Sequence, residues 1–212
     1  MTTLPPETPR QMLFAQLRKL GYVAVLSLCV LVLWLLARIY TTEFVAEHAL
    51  LENIQLAVMI LATISFGLQA TLNKVHRPTL LLLTALCAAA CVRELDAYFE
   101  VILPIISWKF CWAFPIAALI YNLRHLPEAR ESMVSFLRSN SFNMLITAAV
   151  IIIPMAQLLG HRSFLSDMIE NPAVDTYLLR RIMEEPIELM GYLQILLASL
   201  EFFIEAQLRK TH

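Results

Sequence analysis

The residues with the types and spacing to do chemistry are a few carboxylates and the polar groups near them. Glu52 and Gln55 are three apart, Glu185 and Glu188 are three apart, and Tyr192 follows Glu188 by four. Each set shares one face if its segment is helical. Arg93 and Glu94 are adjacent, and Arg93, Asp96 and Glu100 fall on one helical stripe that suits an ion-pair ladder. A buried carboxylate is a general base, an arginine holds an anionic headgroup, and glutamine or tyrosine orients water or substrate. Glu52, Arg93, Glu94 and Glu188 are therefore the candidate catalytic residues. Gln55, Asp96, Trp108, Lys109, Arg162, Glu185 and Tyr192 are the candidate substrate-binding residues.

A metal is a further option. His48 lies four before Glu52, and with His161 and Glu188 these residues make a nitrogen and oxygen ligand set suited to zinc, manganese or iron. A divalent metal is the cofactor such a set would take. No H-E-x-x-H, paired E-x-x-H or C-x-x-C accompanies it.

Plainer roles fit the same residues. Arg93 with Glu94 or Asp96 suits an ion pair that fixes helix packing. Glu184, Glu185 and Pro186 suit the first turn of a helix, where acids meet the positive end and proline gives up no hydrogen bond. Gln55 suits a hydrogen bond between helices. Trp108 suits an aromatic belt, as do Trp34, Trp112, Tyr40, Tyr98 and Tyr192.

The elements that position these groups follow from composition. Of 212 residues, 59% are hydrophobic, with 16 Lys and Arg against 17 Asp and Glu. A soluble domain carries about 45–50% apolar and about 25% charged residues. The balance excludes a disordered chain, a coiled coil, a disulfide scaffold and a basic binder of nucleic acid. It points to an all-α, polytopic membrane helix bundle whose partner is the lipid bilayer. Six runs, at about 20–40, 50–70, 79–103, 107–122, 141–160 and 184–205, are apolar and lack a strand's alternation. One transmembrane domain over residues 1–212 is the expected organisation, with no cleavable signal peptide.

Ten of the 16 basic residues fall inside if the N-terminus is inside, which predicts an N-in/C-in topology. Residues 123–140 then lie inside and include a short interfacial helix. Residues 161–183 lie outside, as another interfacial helix or a lid. Cys29, Cys87, Cys91 and Cys111 fall within spans and read as small apolar residues. With only four glycines and no G-x-x-x-G, few close-packing positions are expected.

Twelve of the 17 acids fall on the outer side or in the outer half of a span. An ionisable group in a membrane costs about 2.5–3.5 kcal/mol even on the gentlest scale, unless it is paired or hydrated. Glu52, Arg93, Glu94 and Glu188 must then face the bundle or a wet cavity. The expectation is an outward-facing polar site in an integral membrane protein, acting as a hydrolase or transferase on a lipid or lipid-linked substrate. A proton- or ion-coupled small transporter and a non-catalytic partner or sensor subunit are the alternatives.

The stretches LLENIQLAVMI, CVRELDAYF and EEPIELMGYLQILL resemble a family of small bacterial six-helix inner-membrane proteins. That resemblance covers most of the chain and implies the bacterial inner membrane rather than an activity. Glu184 and Glu185 resemble the glutamate pair of membrane-embedded CAAX-processing proteases, but Leu189 stands where those carry an arginine, and their later motifs are missing. Alkaline-ceramidase-like hydrolases use three histidines over seven helices, which this chain does not supply.

Overall fold

A computed structural model describes residues 9–40, 50–95, 108–159, 161 and 176–210, and among them no residue is in a strand. The chain divides into two compact units, Met1–Thr41 and Thr42–His212. In the first, α1 (Pro9–Tyr40) is a single helix of 32 residues. Apolar side chains such as Leu13, Leu20, Leu28 and Ile39 are exposed on it, and Leu33 is buried. Near its end the Arg38 guanidinium lies 4.2 Å from the centre of the Trp34 ring.

The second unit contains α2 (Leu50–Leu72), α3 (Arg77–Glu94) and a 3₁₀ turn (Trp108–Trp112) that runs into α4 (Ala113–Arg124). It continues with α5 (Leu126–Leu137), α6 (Asn140–Val150, extended through Leu159) and α7 (Thr176–Lys210). Local chemistry sets several ends. Pro78 and Pro127 sit in the first turns of α3 and α5, where the missing N–H has no partner to lose. Ser139 caps α6 by accepting the Phe142 N–H at 3.1 Å.

Segments Met12–Leu36, Leu50–Leu72, Asn140–Leu159 and Leu179–Leu208 are long and apolar enough to cross a membrane. Helix also covers Arg77–Glu94 and Trp108–Arg124, overlapping the expected third and fourth runs, and residues 96–103 of the third lie outside the described residues. The last helix differs from expectation. It begins at Thr176, so Pro186 is an interior residue and Glu184 and Glu185 lie in the helix body. The stretch TYLLRRIM holds too many polar residues to extend a hydropathy run. Its i,i+4 pairs, Arg180 with Glu184 and Arg181 with Glu185, support helix instead.

Helix α2 packs on α7 through Gln55 and Gln69, which lie with Met59, Ala62 and Phe66 on a buried stripe spaced alternately by four and three. The two helices run parallel, because Gln55 meets Glu185 and Gln69 meets Ser199 at the same offset. Gln69 Nε2 donates to the Ser199 carbonyl at 2.9 Å and to Ser65 Oγ at 3.3 Å. A polar residue in an apolar seam fixes register, because slippage would strand it. Helix α3 runs against both: Thr63 approaches Cys91, Gly67 approaches Thr84, and Arg93 reaches Glu188. Helix α6 is likewise antiparallel to α7, with Asn140 beside Glu205 and Ser141 Oγ donating to the Ala198 carbonyl at 2.7 Å.

Helix α5 is pinned to the start of α3 by a hydroxyl pair, Thr79 and Ser132, 2.6 Å apart and both buried. Phe136 of α5 and His76 pack on Phe202 of α7 at the same end. Thr79→Val leaves the Ser132 hydroxyl without its bond, and the expected cost is about 1–3 kcal/mol. Denaturant titration of the protein in detergent measures it, and a Thr79→Ser variant that loses as much would contradict this account.

Candidate polar site on α2, α3 and α7

The site is built where α2 begins, α3 ends and α7 passes alongside α2. Gln55 Nε2 donates to the Glu185 carbonyl at 2.8 Å and to Glu185 Oε2 at 3.1 Å. Arg181, one turn earlier on α7, pairs with Glu185 at 3.1 Å and also with Glu52 of α2. These four residues form one half of the site.

The other half joins α3 to α7. Arg93 Nη2 donates to Glu94 Oε1 at 3.0 Å, to both Glu188 oxygens at 3.2 Å and to the Tyr192 hydroxyl at 2.9 Å. The Tyr192 hydroxyl in turn donates to Glu94 Oε1 at 2.7 Å. The phenol thus sits between a cationic donor and a carboxylate acceptor. Glu185 and Glu188, one turn apart on α7, link the two halves.

Pro186 lies between those glutamates. It has no N–H, so the α7 ladder lacks the bond that residue 186 would give to the Ile182 carbonyl. A second irregularity faces α7 from α6. Residues Ile151–Ala156 form a π-helical stretch around Pro154, whose ring would crowd the carbonyl of Val150 in an α-helix. Ile152 of this stretch lies against Gly191, the neighbour of Tyr192. A Cβ on Gly191 would fall 2.3 Å from Ile152 Cγ1. Gly191 is thus a close-packing position despite the absence of a small-residue motif.

Burial grades across the site. Gln55 is 0% exposed, while the Glu188 and Arg181 side chains are 6% and 9% exposed. The side chains of Glu52, at 28%, and Arg93, at 45%, form the accessible rim. Two arginines face four glutamates, a formal charge of −2 among the described residues. Arg93 makes its hydrogen bonds to described residues through Nη2, leaving the Nε and Nη1 edge for another acceptor. Gln55 Oε1 is buried with no donor among the described residues.

Of the residues expected from sequence, Glu52, Gln55, Arg93, Glu94, Glu185, Glu188 and Tyr192 are brought together. Arg181 is the member that sequence reasoning passed over, and its four-residue spacing to Glu185 was the available signal. Lys109, on the 3₁₀ turn, and His161, beyond α6, are exposed, and each keeps an interaction of its own. His48, Asp96, Arg162 and the side chain of Trp108 lie outside the described residues. Among those described, no three His, Cys, Asp or Glu side chains are grouped to hold a metal ion. Glu52 and Glu188 instead engage different arginines in the two halves. Cys87 and Cys111 are buried, and all four cysteines are free thiols. Against protein-family models, curated proteins and solved structures, the chain has no match in any of the three comparisons.

Proposed function

We propose that this is a bacterial inner-membrane protein of six spans, with both ends inside and the α2–α3–α7 site opening at the outer face. The helix directions support this reading. Helices α2 and α7 run one way and α3 and α6 the other, as alternating spans require. Lys74, Arg77, Arg130 and Arg138 lie at the opposite end of the bundle from the site, which suits a cytoplasmic face.

At this site the protein hydrolyses or transfers a group on a lipid or lipid-linked substrate. The observation that carries the reading is the group of Arg93, Glu94, Glu188 and Tyr192, in which a phenol lies between a guanidinium donor and a carboxylate acceptor beside a second, buried carboxylate. Glu188 serves as the general base. Tyr192, held between Arg93 and Glu94, passes a proton, and the unused edge of Arg93 stabilises charge developing on the substrate.

The test is complementation of a deletion strain. Glu188→Gln reaches the membrane at normal levels, and turnover of the affected lipid falls about 10²–10⁴-fold. An unchanged lipid profile in cells carrying Glu188→Gln, or in the deletion itself, would defeat the reading. A second reading, a proton-coupled carrier, is favoured by the proline-bearing turns of α6 and α7 beside the site, since carriers bind at interrupted helices. Substrate accumulation in vesicles that collapses with the proton gradient would select it.

A further inference from the structure

We propose that α5 lies in the leaflet interface at its end of the bundle and binds anionic phospholipid headgroups through the arginines on and around it. This rests on the reading of the bundle as membrane-embedded, and not on which face is inside. Helix α5 has 12 residues, fewer than the about 20 that a span needs. Its Ser132 meets Thr79 in the first turn of α3, and its Phe136 meets Phe202 in the last turns of α7. It therefore sits at the end of the bundle away from the α2–α3–α7 site.

Helical period sorts α5 into three faces. Ser132 and Phe136, four apart, are the buried one. Leu126, Arg130, Val134 and Leu137, spaced four, four and three, share a second face, and all four are exposed. Glu128 and Glu131, three apart and also exposed, share a third. A helix between protein and water needs only two faces. A helix lying in an interface needs the third, since lipid takes the apolar stripe and water takes the acids. Arg130, within the apolar stripe, can lay its stem along lipid and carry its charge to the headgroups.

The charge of the occupant follows from the neighbours. Arg124 and Arg138 flank α5 at its two ends, and Lys74 and Arg77 lie where α2 turns into α3, a few residues from Thr79. These four and Arg130 are exposed, and among the described residues none of the five joins an ion pair or a side-chain hydrogen bond. The described acids at this end are Glu128 and Glu131 on the third face, Glu205, which Asn140 engages, and Glu201, which is buried. Guanidinium groups beside and within an exposed apolar stripe fit an anionic phospholipid, whose phosphate takes the arginines and whose acyl chains take the stripe. A free phosphate or a nucleic acid would leave Leu126, Val134 and Leu137 uncovered.

Native mass spectrometry of the full-length protein, released from detergent micelles holding equal amounts of phosphatidylglycerol and phosphatidylcholine, tests the proposal. Each basic side chain near an anionic surface contributes about fivefold, so two on one headgroup should retain phosphatidylglycerol about 25-fold over phosphatidylcholine. Arg130→Gln should lower that excess about fivefold, and adding Arg124→Gln and Arg138→Gln should abolish it. Glu128→Gln with Glu131→Gln should not lower it. Val134→Ser with Leu137→Ser should lower retention of both lipids. Equal retention of the two lipids by the unaltered protein overturns the proposal even if the variants fold poorly, and so does an excess that survives the triple arginine variant. Displacement of phosphatidylglycerol by sodium phosphate but not by sodium chloride of equal ionic strength assigns the arginines to a free phosphate and overturns the lipid. Unchanged retention in the Val134 and Leu137 variant overturns the placement of α5 in the leaflet. A protein that washes off cell membranes without detergent defeats the membrane reading itself, whereas equal retention by a protein that needs detergent defeats only this proposal.

Discussion

Arg181→Leu is expected to lower stability by about 3–5 kcal/mol, the cost of leaving buried charges without their partner. Arg181 is 7% exposed overall and serves two carboxylates on different helices, Glu52 of α2 and Glu185 of α7. Its loss takes one guanidinium from both carboxylates and removes the Arg181–Glu52 pair that joins α7 to α2. Arg93→Leu should cost less, about 1–3 kcal/mol, because the Arg93 side chain is 45% exposed and solvent screens the carboxylates it leaves. Neutralising an acid works in the other direction. Glu185→Gln removes a carboxylate that Arg181→Leu leaves without its guanidinium, so it should recover part of the Arg181→Leu loss in a double-mutant cycle. Unfolding of the variants in detergent measures all three. Equal losses at Arg181 and Arg93, or no recovery in the double variant, would show that the cluster is not electrostatically strained.

Gly191→Val is the second large effect. The added Cβ would meet Ile152 Cγ1 at 2.3 Å and Cδ1 at 2.8 Å, with the Ala148 carbonyl at 3.4 Å. Part of that contact is a branched side chain fixed in a π-helical turn, so α6 and α7 must separate. Overpacking of this kind costs about 1–3 kcal/mol. Ile152→Ala should return much of the loss. Gly21→Val on α1 should cost little, since nothing lies within 4 Å of the position its Cβ would take. Because Tyr192 follows Gly191 directly, the displaced helix should also weaken any activity that depends on Glu94 and Arg93. A Gly191→Val protein as stable as the original would show that α6 gives way freely at its π turn.

Much of the site was legible before any coordinates. Glu52 with Gln55, and Glu185 with Glu188 and Tyr192, are spaced for one helical face, and lipid cannot hold such groups alone. Those two facts were enough to send α2, α3 and α7 toward one another. Arg181 was harder to see, because hydropathy ends a helix where polar residues crowd, and the turns before Glu184 are crowded with them. Pro186 misled for a related reason: proline near acids is the usual mark of a first turn, and here the helix begins ten residues earlier. The expected metal set drew on loop histidines, whose position no periodicity predicts.

Sequence alone determined that this chain is helical with runs apolar enough to cross a membrane, because apolar runs in hydrocarbon must satisfy their backbone internally. It also determined which faces carry charge, because helical period is a local property. Pairing was a tertiary matter. Which carboxylate meets Arg93 and which meets Arg181 depends on the register of α2 against α7, held by Gln55 and Gln69, and on how closely α6 can approach at Gly191. Register and approach distance depend on side chains of two helices at once, so no single run of residues encodes them.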